Sequence, residues 1–187
     1  MTVSLHEMKA LWAFTEIRSE RTRRFYHDAR VPMLQSKLKN MVFAGVTMQE
    51  RDILAEMWEQ ARGNFLSMYL AGVTGFALEC WSSTQLGEVL AMSQMDPAEQ
   101  GFFVSMLTYA RSPRPIGPSA ETDPRTVADR SVLSGRELQA GDPIIVGLFN
   151  RKQVLIDGYG RGIRFIQCAE ASDRIPVLVP VASGATQ

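Results

Sequence analysis

Residues 153–166 read QVLIDGYGRGIRFI. An apolar, strand-like run stops at Asp157, and Gly158, Gly160 and Gly162 then alternate with Tyr159 and Arg161. A tight turn needs one or two glycines. This stretch holds more, and it sets a fixed positive charge among them. A helix that starts here presents unsatisfied first-turn amides and the positive end of its macrodipole. Glycine lets an anion come close to the backbone, and a guanidinium forks onto phosphate. The chemistry on offer is anion binding, foremost of phosphate groups, by Gly158, Tyr159, Gly160, Arg161 and Gly162. Asp157 is placed to cap the following turn or to hold a divalent metal beside a phosphate. The same residues fit a plainer reading. The glycines then only make a strand-to-helix turn, and Arg161 is solvated or pairs with Asp157. There is no GxxxxGK[ST], so the stretch is not a P-loop.

A second constellation lies at residues 18–30, RSERTRRFYHDAR, with five arginines, two acids and two aromatic rings. Cations for phosphate and rings for stacking suit a nucleic-acid surface, with Arg18, Arg21, Arg23 and Arg24 as DNA contacts. A solvated, partly paired helix face has the same composition. His6 and His27 have no acid or cysteine at ligand spacing, and no histidine follows residue 27. A Ser-His-Asp or zinc mechanism has little to stand on.

The elements that must position these residues fall into two parts. Residues 1–110 read as helical. VSLHEMKALWAFTEI has helical spacing and runs on toward Val31-Pro32, PMLQSKLKNMVFAG opens with proline and closes with glycine, and TMQE (47–50) is a capping box. The helix opened by Thr47 is expected to reach about Trp81, bent or divided at Gly63, Gly72 or Gly75. FLSMYLAGVTGFAL (65–78) lacks charge but is too short for a membrane span, so a buried core helix is expected. DPAE (96–99) opens a further helix.

Composition changes at Ser112. SPRPIGPSAETDP carries four prolines and no helical period, and marks a junction between a helical domain at 1–110 and a small α/β core at 111–187. DPRTVADRSVLSGRELQAG (123–141) reads as helix, PIIVGLF and QVLID as strands around the turn NRK, GIRFIQCAEA as helix, and RIPVLVPVA as a last strand. The fold class is α+β.

With 187 residues and 45% apolar content the chain can bury a substantial core. Twenty basic and twenty acidic residues cancel, so no global charge draws it to nucleic acid or membrane. Nine of the ten bases after residue 110 are arginine. Cys80 and Cys168 share no metal spacing and read as two buried free thiols of a reducing compartment. Glu7 and Lys9 interrupt any N-terminal leader pattern, and a cytoplasmic location is expected, at most peripheral at an inner membrane.

The ordered set RPIGPS, DPRTV, DPIIV, QVLIDGYGR and RIPVLVP resembles the ParB/sulfiredoxin superfamily over about residues 111–181. That family ends a strand in a turn of the Asp-Gly-x-x-Arg kind, which this chain keeps as Asp157, Gly158 and Arg161. Tyr159 stands where sulfiredoxin has its catalytic cysteine and ParB a glutamate, and Gly160 where a histidine or arginine is usual, so the resemblance does not extend to thiol chemistry. It implies a nucleotide site at the turn, with Arg125 and Thr126 as further phosphate contacts. It also implies that Glu137 lies at a helix end facing the turn, as a carboxylate able to orient water or hold a metal.

A helical region ahead of one such core, together with LWAFTEIRSERTRRFY, resembles the fertility-inhibition (oncogenic suppression) proteins of conjugative plasmids. Those proteins block passage of DNA or effectors through a type IV secretion channel. The resemblance implies ATP and Mg2+ as cofactors, ATPase and DNase activities, DNA and the transfer complex or its substrate as partners, and Glu137, Arg161 and Asp157 as catalytic residues. The other expectation is a non-catalytic, protein-binding inhibitor on a degenerate nucleotide-binding fold.

Overall fold

The structure is a computed structural model that describes residues 2–19, 22–92, 103–112 and 142–182. It is α+β. A mixed sheet of seven strands has the order β1-β2-β7-β5-β6-β3-β4, with β1 Thr2–Ser4, β2 Val73–Trp81, β3 Leu90–Met92, β4 Phe103–Ser105, β5 Ile144–Phe149, β6 Lys152–Asp157 and β7 Ile175–Ala182. Contacts divide the chain into a unit of residues 1–76 with 181–187 and a unit of residues 77–180. Composition placed a junction at 110/111 instead; compactness and composition are different criteria, and the proline-bearing stretch after Ser112 lies outside the described residues.

In the first unit, helix α1 (Leu5–Arg18) packs on α3 (Met48–Trp58). Met8, Trp12, Ile17, Leu54, Met57 and Trp58 are buried among them. A buried side chain of this size contributes about 1.5–3 kcal/mol. Both helices start on capping boxes, Ser4 with Glu7 and Thr47 with Glu50. Helix α2 (Val31–Leu38) lies between them in sequence. After α3 the chain passes through a π turn at Glu59–Gly63 into α4 (Asn64–Leu70).

Here the structure corrects the sequence reading. The helix opened by Thr47 does not reach Trp81, and 65–78 is not one core helix. It stops at Leu70, Gly72 takes φ +75°, and Val73–Trp81 is a strand. Only glycine enters that conformation at low cost, so Gly72 ends the helix and the aromatic-rich run beyond it joins a sheet. Residues 1–110 are accordingly not all helical, because β1 to β4 lie within them. Helix α1 also ends at Arg18, and a 3-10 turn, Arg23–Phe25, lies among the described residues between it and α2. The expected helices at 96–99 and 123–141 lie outside the described residues.

In the second unit, α5 (Ser83–Glu88), α6 (Met106–Arg111) and α7 (Tyr159–Cys168) bury Leu86, Met106 and Ile163 with Val146, Leu155 and Val177 of the sheet. Strands β5 and β6 form an antiparallel hairpin, with Val146 opposite Leu155 and Phe149 opposite Lys152. Its turn residues Asn150 and Arg151 both have positive φ, the two-residue geometry that matches strand twist. β5 runs parallel to β7, and β6 parallel to β3. The strands, turn and helix expected between residues 143 and 182 are all present. Among the described residues no helix is long and apolar enough to cross a membrane.

Candidate functional site

Strand β6 ends at Asp157 and α7 begins at Tyr159, so the glycine stretch is the first turn of the helix itself. The three glycines have different reasons to be there. Gly158 is the N-cap, at φ 90° and ψ 22°. A Cβ on it would stand 3.0 Å from Ile144 Cγ1 and 3.3 Å from the Ile144 Cα, so both conformation and space demand glycine. A Cβ on Gly162 would come within 3.3 Å of Met106 Cε and 3.5 Å of Leu86 Cδ2, so this glycine seats α7 against α5 and α6. Among the described residues a Cβ on Gly160 would meet nothing within 4 Å. Neither conformation nor packing in the described structure accounts for Gly160.

A glycine N-cap offers no side-chain acceptor, and none caps α7. The Gly162 amide donates to the Gly158 carbonyl at 2.8 Å and closes the first turn. Asp157 does not cap the turn, contrary to that expectation. Its Oδ2 accepts from Arg161 Nη2 at 3.3 Å, an i,i+4 pair along the strand end and helix start. Arg161 Nη1 also donates to the Asp142 carbonyl and, at 3.3 Å, to that of Pro143. The Arg161 side chain is three-quarters buried and ties the turn to the chain entering β5. The pairing anticipated as the plainer reading of Arg161 is therefore realised. Tyr159 is turned inward: its hydroxyl donates to the Leu155 carbonyl at 3.0 Å, and its ring meets Tyr109 edge-on at 5.8 Å.

Glu137, Arg125, Thr126 and Arg21 lie outside the described residues. The remaining arginines expected to contact DNA belong to the first unit. Arg18 lies over the Phe14 ring at 4.5 Å and reaches the Lys39 carbonyl at 3.4 Å. Arg23 donates to Gln35 Oε1 at 2.8 Å, and Arg24 lies 5.2 Å from the Phe25 ring centre. Of the two rings expected to stack on bases, Tyr26 is buried and donates to Glu16 Oε2 at 2.6 Å, while Phe25 is exposed and also carries Arg62 at 4.1 Å.

Among the described residues no group of three or more His, Cys, Asp or Glu could hold a metal. Asp157 can contribute a single carboxylate to Mg2+, the share a protein supplies when substrate phosphates and water complete the shell. Its pairing with Arg161 would have to open for that. The two thiols are not buried as expected: Cys80 is exposed on β2, and Cys168 is half-buried with its Sγ 2.9 Å from the Arg164 carbonyl.

Two constellations were missed. The first joins Glu16, Tyr26 and Arg62, in which Arg62 forks onto a buried carboxylate. The second is a cavity of about 490 Å3 in the unit of residues 77–180, with Glu79, Trp81, Glu88 and Lys152 in its wall. The signal for the second is VTGFALECW between Gly72 and Ser82, a run whose composition suits a strand as well as a helix.

Comparison with protein-family models, with curated proteins and with solved structures returned no match to this chain.

Proposed function

We propose that the first turn of α7 binds the phosphates of a nucleotide, and that the chain is a fertility-inhibition protein acting on type IV secretion from the cytoplasm. The observation that carries the phosphate site is Gly160: a glycine that no described residue crowds, in the first turn of a helix whose N-cap has no side-chain acceptor. Glycine there costs helix stability relative to alanine, and close approach of a phosphate to the amides is what the missing side chain would permit. The step from phosphate site to fertility inhibition rests on the resemblance to the ParB/sulfiredoxin superfamily and its plasmid members.

On this reading the turn amides and Arg161 orient ATP, Mg2+ neutralises phosphate charge when bound, and Asp157 holds it. Glu137 is the first choice for the carboxylate that positions water, with Asp157 second. Arg125 and Thr126 add phosphate contacts, and Arg18, Arg21, Arg23 and Arg24 contact DNA. The Asp142 and Pro143 carbonyls engage Arg161 Nη1, so a phosphate is met by the other guanidinium donors or after those bonds open.

That same engagement favours a second reading, a non-catalytic inhibitor that binds the transfer apparatus. The two are separated by assaying the purified chain for ATP hydrolysis and plasmid cleavage with and without Mg2+, beside a mating assay. The catalytic reading expects Glu137→Ala to lose hydrolysis and transfer inhibition together. Full transfer inhibition by a variant without hydrolysis contradicts it and leaves the binding inhibitor.

A further inference from the structure

Side chains two apart on a strand share a face. On β2 that brings Glu79 beside Trp81, and the indole Nε1–H donates to Glu79 Oε2 at 2.7 Å. The bond fixes a carboxylate against an indole at the wall of the 490 Å3 cavity. Gln85 and Glu88 of α5 form another wall, Val89 and Leu90 an apolar one, and Lys152 and Gln153 of β6 complete it. Trp81 and Val89 are buried; both glutamates are exposed on their strand or helix, so the cavity opens to solvent.

The wall carries two carboxylates against one ammonium. Among the described residues no ion pair joins Glu79, Glu88 or Lys152, although Lys152 lines the same cavity. Glu88 is the last residue of α5, the helix end at which an acid is disfavoured. Among the described residues neither carboxylate has a cationic partner, and the partner of Glu79 is the Trp81 indole. A bare metal ion does not suit the wall, since no three ligating groups converge. An ammonium suits it better. It gains Coulomb attraction from both carboxylates, and a short hydrocarbon stem can lie along Val89 and Leu90.

We propose that this cavity binds a small organic cation, an alkyl ammonium on a short apolar stem. The site shares no residue with the turn of α7, so it stands or falls apart from the nucleotide reading. The ammonium has two sources, a free amine or a lysine side chain, and a probe for each is 1,4-diaminobutane and N-acetyl-lysine methylamide.

The chain has three tryptophans, so its indole N–H resonances are few enough to assign. Titrating either amine into the full 15N-labelled chain should shift the Trp81 indole saturably and leave those of Trp12 and Trp58 in place. Glu79→Gln keeps an acceptor for the indole and should weaken binding about 2- to 5-fold, as expected for an exposed ion pair, and Glu88→Gln likewise. The double variant should lose about tenfold, and Lys152→Gln should tighten binding. Tighter binding of the lysine derivative than of the diamine upholds the site and identifies a basic side chain as its ligand. No shift of the Trp81 indole with either amine up to about 50 mM, a concentration that would reveal even very weak binding, overturns the proposal. So does a double variant that titrates like the wild type.

Discussion

In the unit of residues 1–76, charges are arranged to serve the fold. Glu16 is buried and held by Arg62 and Tyr26; Arg30 bridges Asp28 and Glu56; Lys37 pairs with Glu50 at 2.5 Å; Arg51 gathers the Phe43, Ala44 and Val46 carbonyls with Glu7. In the unit of residues 77–180 the described ion pair is Arg161 with Asp157, while Glu79, held by the Trp81 indole, and Glu88 and Lys152 line a cavity with no ion pair among the described residues. The contrast separates charges whose position the fold explains from charges and glycines whose position it does not. The second kind, Glu88 and Gly160 above all, is where ligand chemistry is to be sought.

The strongest way to break this contrast is to remove a charge said to serve the fold. Arg62→Met removes the guanidinium from the Glu16 carboxylate, which is only 6% exposed and keeps Tyr26 among its partners. Removing one partner of a buried pair is strongly destabilising, and because Arg62 is itself part-exposed the loss should be about 2–3 kcal/mol by urea unfolding. A loss below about 0.5 kcal/mol, the range of an ordinary surface change, would place this network among the dispensable charges.

Gly158→Ala comes next, at about 2 kcal/mol, from a left-handed backbone and the approach to Ile144. Equal unfolding midpoints for mutant and wild type would mean that the turn is not built as described. Thr47→Ala should cost about 1 kcal/mol by loss of the cap on α3. The same capping box sets a pH dependence. The Lys37 ammonium foremost, then the Thr47 hydroxyl and amide, hold the Glu50 carboxyl down to about 2 from its ordinary 4.5. A depressed carboxyl stabilises the fold fully above its unfolded value and loses that contribution as pH falls from about 4.5 through about 2. The stability gap between wild type and Glu50→Gln should therefore be constant near neutrality and shrink below pH 4.5; a gap independent of pH would contradict the assignment. The smallest effect is expected of Gly160→Ala, which should leave stability unchanged or raise it by up to about 0.5–1 kcal/mol through helix propensity.

What the sequence made legible follows from where local chemistry decides structure. The apolar run ending at Asp157 before Gly158 located the strand end, whereas the helix, expected from Gly162, starts three residues earlier at Tyr159 because Gly158 takes the left-handed N-cap position. Thr47 and Glu50 located a helix start because a capping box is complete within four residues. The strand at 73–81 was not legible, because its apolar residues suit a buried helix as well as a strand, and Gly72 looked no more decisive than Gly63 or Gly75. Only Gly72 takes a positive φ. Gly75 instead lies against the Val3 carbonyl, where a Cβ would come to 2.9 Å, a tertiary fact no local pattern carries. The turn drew attention as an anion site, but its composition did not distinguish Gly160 from its two neighbours. That distinction needed Ile144, Met106 and Leu86 in place around them.

The most direct test of the central claim is calorimetric titration of ATP with Mg2+ into the wild-type chain and Gly160→Ala. The account predicts binding by the wild type and at least about fivefold weaker binding by the variant, a difference of about 1 kcal/mol, with an unfolding midpoint no lower than that of the wild type. Equal affinities, or no binding by the wild type, would contradict it.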